Sequence, residues 1–597
     1  MCDSAAVRRL AAEWLSYDKT PETRAEVQQL LDENKIEQLN KILGKHMTFG
    51  TAGLRARMGA GYACMNNLTV QQATQGFCAY LELVDPLVYN KGVVVGCDAR
   101  HHSREFARIT AAVFLAHNIP VYLFRDICAT PHVPFTLTTK GCSAGVMVTA
   151  SHNPKADNGY KVYWNNGSQI ISPHDALIAH FIDLNQVPWE GVEATLCDRS
   201  PLCRDPVAEG LLDQYFQQTS ARLCRMHSNM DPLLRPPVKF CYTAMHGVGF
   251  RFAKRMYEEF GLAKNMVPVA EQIEPNPEFP TVSYPNPEEH GALTLAMQRA
   301  TEQDVNLIIA NDPDADRVAV AERVDGQWHQ FTGDEIGTLL ASANLTPPPV
   351  SMTHPQVAFL NSAVSSKALR AVAQTEHCHY EETLTGFKWL GNRTDELTRL
   401  GYTVLFAYEE AIGYMPADLI RDKDGLTTGA VVVEMATWLA NQHKTLAGYL
   451  QEARQRYGVF VPQNSYFLCY DPATIARIFA RLRTAGPQGS YMNECAIDGR
   501  TFKATGIRDL MLPGYDSTTP DHKPRLPVSK GGEMITYTFE NGATITLRTS
   551  GTEPKLKFYC EMCAPYPGNP REELATLVRA MVATFLEPEK NNLQPPH

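Results

Sequence analysis

No stretch of this chain approaches the roughly 20 consecutive apolar residues that a membrane-spanning helix needs. The opening run, MCDSAAVRRLAAEW, lacks the apolar centre of a secretory signal. Asn67, Asn166, Asn344 and Asn392 sit in Asn-x-Ser/Thr triplets, but with nothing to send the chain to the secretory pathway they carry no weight as glycosylation sites. Positive charge is also scarce. The formal net charge is −10, which argues against nucleic acid or an anionic membrane as the main partner. Low-complexity tracts are absent. The 15 cysteines are scattered along 597 residues, unlike the dense frameworks of small secreted domains, so reduced thiols in a cytosolic protein are expected. An anionic ligand would need basic groups gathered locally against the overall field.

The length points to three or four domains. Residues 1 to about 45 read as short helices, with Pro21 as a first-turn signal. GVVVGCDAR (92–100) and AGVMVTA (144–150) are β-branched runs separated by the helical REFARITAAVFLAHN, which predicts an α/β domain with a mostly parallel sheet. The pattern recurs in VKFCYTAMHGVG with NLIIANDPDADR, and again in QVAFLNSAVSS with YTVLFAYEEAIG. Linkers are expected near PLCRDP (201–206), near LTPPPV (345–350) and near residue 465. The last stretch differs: MITYTFENGATITLRTS places Asn541-Gly542 between alternating runs, a hairpin signal. REELATLVRAMVATFL then puts Leu574, Leu577, Val578, Met581, Val582 and Phe585 on one helical face, completing a small α+β domain.

Ligand groups in open α/β sheets gather at the carboxyl ends of strands, so the loops there are candidate site pieces. In NDPDADR, Asp312, Asp314 and Asp316 alternate with Pro313 and Ala315. Read as an extended loop, this directs three carboxylates to one side, where a hard cation such as Mg²⁺ relieves their repulsion. A solvated acidic turn is the competing reading. In TASHNPKADNGYK, Ser151 and His152 follow an apolar strand, with Lys155 and Lys161 close behind. A serine there can carry a phosphoryl group balanced by lysine, or simply be a turn serine. RTSGTEPK offers Arg548, Ser550 and Thr552 around Gly551 as a phosphate-binding turn, or as an ordinary hairpin end. Arg55 follows a glycine turn. Glu409-Glu410 suit sugar hydroxyls, or begin a helix. Lys388 lies between aromatics, where a surface lysine is the plainer reading. His377-Cys378-His379 has no second ligand pair and is read as structural, and His101-His102 are placed on the loop after GVVVGCDAR.

Taken in order, TASHNPKADNGYK, NDPDADR, YEEAIG and RTSGTEPK resemble the α-D-phosphohexomutase superfamily. FGTAGLR, TQGF, YPNPEE, ETLTGFKW and IRDKDG resemble its phosphopentomutase branch. The resemblance covers nearly the whole chain from about Phe49. It implies an α/β fold of four domains around a central cleft: three similar α/β domains with mixed sheets and a C-terminal α+β domain that clamps phosphate. The implied bounds are 1–45 (N-terminal helices), 46–220 (serine loop), 221–340 (metal loop), 341–465 (sugar loop) and 466–597 (phosphate loop).

The resemblance also implies roles. Ser151 is the phosphorylated serine, and its phosphate joins Asp312, Asp314 and Asp316 in holding Mg²⁺. Arg55, His152, Lys161 and Arg317 form the catalytic centre. Lys388, Glu409 and Glu410 bind the sugar, and Arg548, Ser550, Gly551 and Thr552 clamp the distal phosphate. The implied reaction interconverts ribose or deoxyribose 1-phosphate with the 5-phosphate, and glucose 1-phosphate with glucose 6-phosphate, primed by a sugar 1,6- or 1,5-bisphosphate. A monomer is expected. Two positions depart from relatives: Ala411 stands where many have serine, and Pro154 stands where the makers of glucose 1,6-bisphosphate have arginine. Both favour the mutase over a synthase fed by 1,3-bisphosphoglycerate. A sugar-phosphate-binding protein without turnover is the reading from another class.

Overall fold

The structure, a computed structural model, describes residues 3–50, 53–224, 237–344, 356–529, 532–550, 554–564 and 569–596. It divides into two compact units: residues 1–360 with 386–449, and residues 361–385 with 450–597.

The first unit opens with α1 (Ser4–Tyr17), α2 (Pro21–Asp32) and α3 (Ile36–Leu43). Asp3 caps α1 by accepting from the Ala5 amide, and Pro21 occupies the first turn of α2, where its missing N–H has no helical partner to lose. Val7, Ala11 and Trp14, at helical spacing, bury one face of α1 against Leu39, Leu43 and Tyr62.

The first sheet contains β1 (Leu54–Arg57), β2 (Val93–Cys97), β3 (Val121–Leu123), β4 (Ala144–Val148), β5 (Asp157–Trp164) and β6 (Cys203–Arg204). Its order is β1-β5-β4-β2-β3-β6. β2, β3, β4 and β6 run parallel, while β1 and β5 are antiparallel additions. PLCRDP is therefore no linker: Cys203–Arg204 closes the parallel edge, and the Val121 amide donates to Leu202 O. β2 and β4 are buried at every position, as covered parallel strands must be. Between β1 and β2 lies α4 (Asn67–Val84), which starts with a reciprocal cap in which Asn66 and Thr69 each bind the other's backbone amide.

The second sheet contains β7 (Phe240–Thr243), β8 (Met266–Pro268), β9 (Leu307–Asn311), β10 (Val318–Val324) and β11 (Gln327–Gln330), in the order β11-β10-β9-β7-β8. β7, β8 and β9 are parallel; β9 and β10 form an antiparallel pair across the aspartate turn. A third stretch supplies β12 (Val357–Ser362), β14 (Thr403–Glu409) and β15 (Gly413–Met415), while β13 (His379–Thr383) falls within the second unit. β12, β14 and β15 adjoin in that order, over a core of Ala358, Leu360, Phe387, Leu390 and Val404. LTPPPV lies outside the described residues.

The second unit is built on one antiparallel sheet of β16 (Val459–Pro462), β17 (Ser465–Leu468), β18 (Glu494–Ile497), β19 (Arg500–Asp509), β20 (Tyr515–Asp516), β21 (Met534–Phe539), β22 (Thr544–Thr549) and β23 (Lys555–Ala564). β21 and β22 form the hairpin signalled by Asn541-Gly542, with Gly542 at φ +81°, a left-handed value that glycine adopts without a Cβ penalty. The helix Pro570–Met581 buries Leu574, Leu577, Val578 and Met581 against this sheet, and Phe585 follows in the next turn; Val582, expected on that face, is only partly covered. Cys560 and Cys563 are spaced Cys-x-x-Cys, but they lie on β23, where residues three apart face opposite ways: Cys560 is buried and Cys563 exposed.

Candidate active site

The loop after β4 holds Ser151, only 2% exposed and at φ +53°, a left-handed conformation that costs a serine free energy unless its surroundings fix it. The fixing group is Arg100, from the loop after β2. Parallel pairing sets Cys97 opposite Val148, so both loops leave the sheet at the same end. Arg100 Nη2 donates to Ser151 O and Asn153 O, each at 2.6 Å, and Nη1 donates to Pro154 O at 2.9 Å. Asp98 Oδ2 lies 3.4 Å from Arg100 Nε, and Asp98 accepts from the hydroxyls of Ser103 and Thr149, both at 2.6 Å. The Ser151 amide donates to Thr149 Oγ1 at 2.8 Å.

From this loop Ser151 Oγ donates to Asp312 Oδ2 at 2.8 Å, and His152 Nδ1 lies 3.4 Å from Ser151 Oγ. Asp312, Asp314 and Asp316 are wholly buried, with a carboxylate oxygen of each within 4.8 Å of the others. They converge because the segment is a turn. The Ala315 amide donates to Asp312 O at 2.9 Å, and Ala315 sits at φ +57°. The segment is thus a closed turn and not the extended run that its alternation predicts. Behind the turn there is no room for a side chain at Gly247, where a Cβ would stand 2.3 Å from Pro313 Cα.

Cations surround the carboxylates. Lys161 Nζ, on β5, reaches Asp314 Oδ2 and Asp316 Oδ2, each at 2.7 Å. Lys423 Nζ lies 3.3 Å from Asp316 Oδ2, and Thr130 Oγ1 donates to Asp314 Oδ2 at 2.6 Å. Burial, together with Asp314 and Asp316, pushes the Asp312 carboxyl well above its usual range. Burial also pushes Asp314 up, but the ammonium of Lys161 outweighs it and holds that carboxyl far below the usual range. For Lys161 burial opposes the charge, yet Asp314 and Asp316 prevail and raise its pKa. His152 is pushed well below its ordinary value by burial and by the nearby charges of Arg317 and Arg55, so it is neutral at pH 7.

The donor set fits a hard divalent cation. Asp314 Oδ1 and Asp316 Oδ1 are buried and accept no hydrogen bond, so two carboxylate oxygens remain for an ion that prefers oxygen ligands.

Arg317 leaves the turn toward the β14–β15 hairpin, where its Nη1 donates to Ala411 O at 3.4 Å. The hairpin pairs Glu409 with Gly413, so YEEAIG is a strand turn and not a helix start. Glu409 Oε1 accepts from the Gly386 amide at 2.6 Å; burial and then Glu410 raise its pKa. Lys388, in the first turn of the helix Phe387–Arg399, is buried, with its Nζ 5.2 Å from the Trp389 ring centroid. Arg55 Nη1 donates to Asn153 Oδ1 at 3.0 Å.

The first unit therefore brings together Arg55, Ser151, His152, Lys161, the three aspartates and Arg317, and carries Lys388, Glu409 and Glu410 on neighbouring turns. Lys155 instead pairs with Glu278 on the surface, 2.7 Å apart. In the second unit, half-buried Arg548 is the penultimate residue of β22 and the Ser550 amide donates to Lys555 O at 2.9 Å; Gly551 and Thr552 lie outside the described residues. Sequence reasoning missed Arg100, Asp98, Thr130 and Lys423. The signal for the first two was present, an Asp-x-Arg at a strand's carboxyl end, whereas Thr130 and Lys423 reach the site only through tertiary folding.

Models of the phosphoglucomutase/phosphomannomutase α/β/α domains I, II and III match residues 46–186, 213–326 and 332–457. Human phosphopentomutase is 45% identical, over 99% of this chain and 98% of its own length. Human glucose 1,6-bisphosphate synthase is 42% identical, over 97% of this chain and 94% of its own. Among solved structures, the open form of parafusin, a phosphoglucomutase from Paramecium, shares the fold with a TM-score of 0.65 at 19% identity, covering 92% of this chain and 97% of its own. With three family domains matched in order across the serine loop, the aspartate turn and the hairpin, this chain belongs to the phosphoglucomutase/phosphomannomutase family of the α-D-phosphohexomutase superfamily.

Proposed function

We propose that this protein is a mutase that moves a phosphoryl group between the anomeric and terminal oxygens of one sugar, with ribose and deoxyribose phosphates as its main substrates and glucose phosphates as further ones. The observation that carries the reading is the contact of Ser151 Oγ with Asp312, 2.8 Å, beside carboxylate oxygens that accept no hydrogen bond. Phospho-Ser151 is the donor. Mg²⁺ held by Asp312, Asp314, Asp316 and the Ser151 oxygen would supply charge neutralisation at the phosphoryl group.

Phosphoryl transfer depends on positioning and charge compensation more than on covalent chemistry by the protein. Arg100 fixes the loop that aims Ser151 Oγ. Neutral His152 accepts the proton of the incoming sugar hydroxyl as its oxygen bonds to phosphorus and the bond from Ser151 Oγ breaks. The resulting bisphosphate turns over and returns its other phosphate to Ser151, with the proton passing back to the freed sugar oxygen. Lys161 and Arg317 compensate charge, and Glu409 and Glu410 accept from sugar hydroxyls. A trace of sugar bisphosphate primes the serine.

The synthase reading has its own support in the 42% relative. Turnover of ribose 1-phosphate, glucose 1-phosphate, and glucose 1-phosphate with 1,3-bisphosphoglycerate on one preparation separates the two. Fastest conversion of ribose 1-phosphate is expected; net glucose 1,6-bisphosphate as the dominant product would replace the mutase with the synthase.

A further inference from the structure

Away from the serine loop, two helices bring three different metal-ligating groups together. Cys78 and Glu82 stand four residues apart on α4 and so share one face. His117 is the C-cap of the helix Ser103–Ala116, which runs against α4. The Cys78 thiol, a Glu82 carboxylate oxygen and a His117 ring nitrogen all lie within 4.8 Å of one another. His117 Nδ1 is 3.0 Å from Glu82 Oε1. Its ring is held by stacking on Trp189, with centroids 4.1 Å apart and planes 21° apart. The Tyr89 hydroxyl donates to Glu82 Oε1 at 2.9 Å, the kind of outer hydrogen bond that orients a ligating carboxylate.

The two donor sets of this molecule differ in chemical softness. Asp312, Asp314 and Asp316 offer oxygen alone, which suits a hard ion. Cys78, Glu82 and His117 offer sulfur, oxygen and nitrogen, the set taken by zinc and its neighbours, at bond lengths of about 2.0–2.3 Å. The cluster is also graded in depth: the thiol is fully buried, while Glu82 and His117 are 24% and 33% exposed. An ion can enter from solvent, bind sulfur at the inner end and keep a water at the outer one.

We propose that Cys78, Glu82 and His117 form a second metal site, for a borderline divalent d-block ion with zinc foremost, which ties α4 to the end of the following helix. On binding, the Cys78 S–H bond breaks, its proton passes to solvent and the sulfur electron pair forms the metal bond. The Nδ1 proton of His117 passes by way of solvent to Nε2, and its hydrogen bond to Glu82 is exchanged for one metal bond from each. No electron is transferred.

Co²⁺ is the probe, because a thiolate–Co²⁺ bond gives a near-ultraviolet charge-transfer band that an all-oxygen site cannot produce. The full chain is stripped with chelator, desalted into excess Mg²⁺ and titrated with Co²⁺. A thiolate band that saturates at one equivalent is expected. It disappears in Cys78→Ser, whose mutase turnover stays at the wild-type level. If Cys78→Ser is not recovered folded, His117→Gln decides: Co²⁺ affinity lower by about 10-fold or more supports the site, since even loss of an outer partner costs about that much. Absence of a thiolate band in the wild type, an equal band in Cys78→Ser, or unchanged affinity in His117→Gln would overturn it.

Discussion

Arg100 presents a planar fork of donors to three carbonyls of the serine loop, and no other side chain offers that geometry. Lysine keeps the charge but reaches one carbonyl at a time. Arg100→Lys is therefore expected to lower kcat by about 100-fold, the usual cost of an ångström-scale misplacement of reacting groups, and to lower stability by about 1–3 kcal/mol because buried loop carbonyls lose their donors. Steady-state kinetics beside thermal unfolding checks this, and activity within about twofold of wild type would remove Arg100 from the account. The residue was readable only in hindsight. GCDAR lies at a strand end, yet only the adjacent histidines were placed, on the loop that follows, and Arg100 itself was given no role. Both are surface groups, His101 paired with Glu278 and His102 with Glu105.

Among elements, the strands and helices followed their hydrophobic periods closely. Val93–Cys97 and Ala144–Val148 are continuous apolar runs and form buried parallel strands; the Asn541-Gly542 signal marks the hairpin that forms. The aspartate segment was the exception. Alternation of Asp with Pro and Ala reads as extended, whereas the left-handed Ala315 that closes it into a turn carries no sequence mark, because glycine is not used there. Gly247 leaves the space into which this turn packs. Gly247→Ala forces backbone at Pro313 to move, so a loss of about 1–3 kcal/mol and a higher Mg²⁺ requirement for turnover are expected. Denaturant unfolding with a Mg²⁺ activation curve tests both; a wild-type curve would mean that the turn is not held from behind.

At the scale of the whole molecule, a chain of charge −10 gathers Arg55, Arg100, Lys161, Arg317 and Lys423 about the serine loop and the aspartate turn, the local positive field that the proposed phosphate substrates require. The second unit has its own electrostatic centre. Burial pushes the Glu382 carboxyl up, but Lys367 and Arg508 outweigh it and bring it to about 2. A depressed carboxylate stabilises the folded state above its unfolded pKa, and that stability is lost as pH falls toward the folded value. Stability is thus expected to decline by a few kcal/mol as the pH drops from about 4.5 toward about 2. Glu382→Gln should be less stable at neutral pH and converge with wild type in that window; parallel curves would assign the acid sensitivity elsewhere.

Ser151 is the proposed phosphoryl carrier. Intact mass and fragment localisation, taken after priming with glucose 1,6-bisphosphate and again after brief exposure to excess ribose 1-phosphate, address it directly. One phosphate on Ser151, discharged by the sugar phosphate and absent from a Ser151→Ala protein that has lost turnover, is the predicted result. Phosphate on another residue, or a Ser151→Ala protein that converts ribose 1-phosphate at the normal rate, would contradict it.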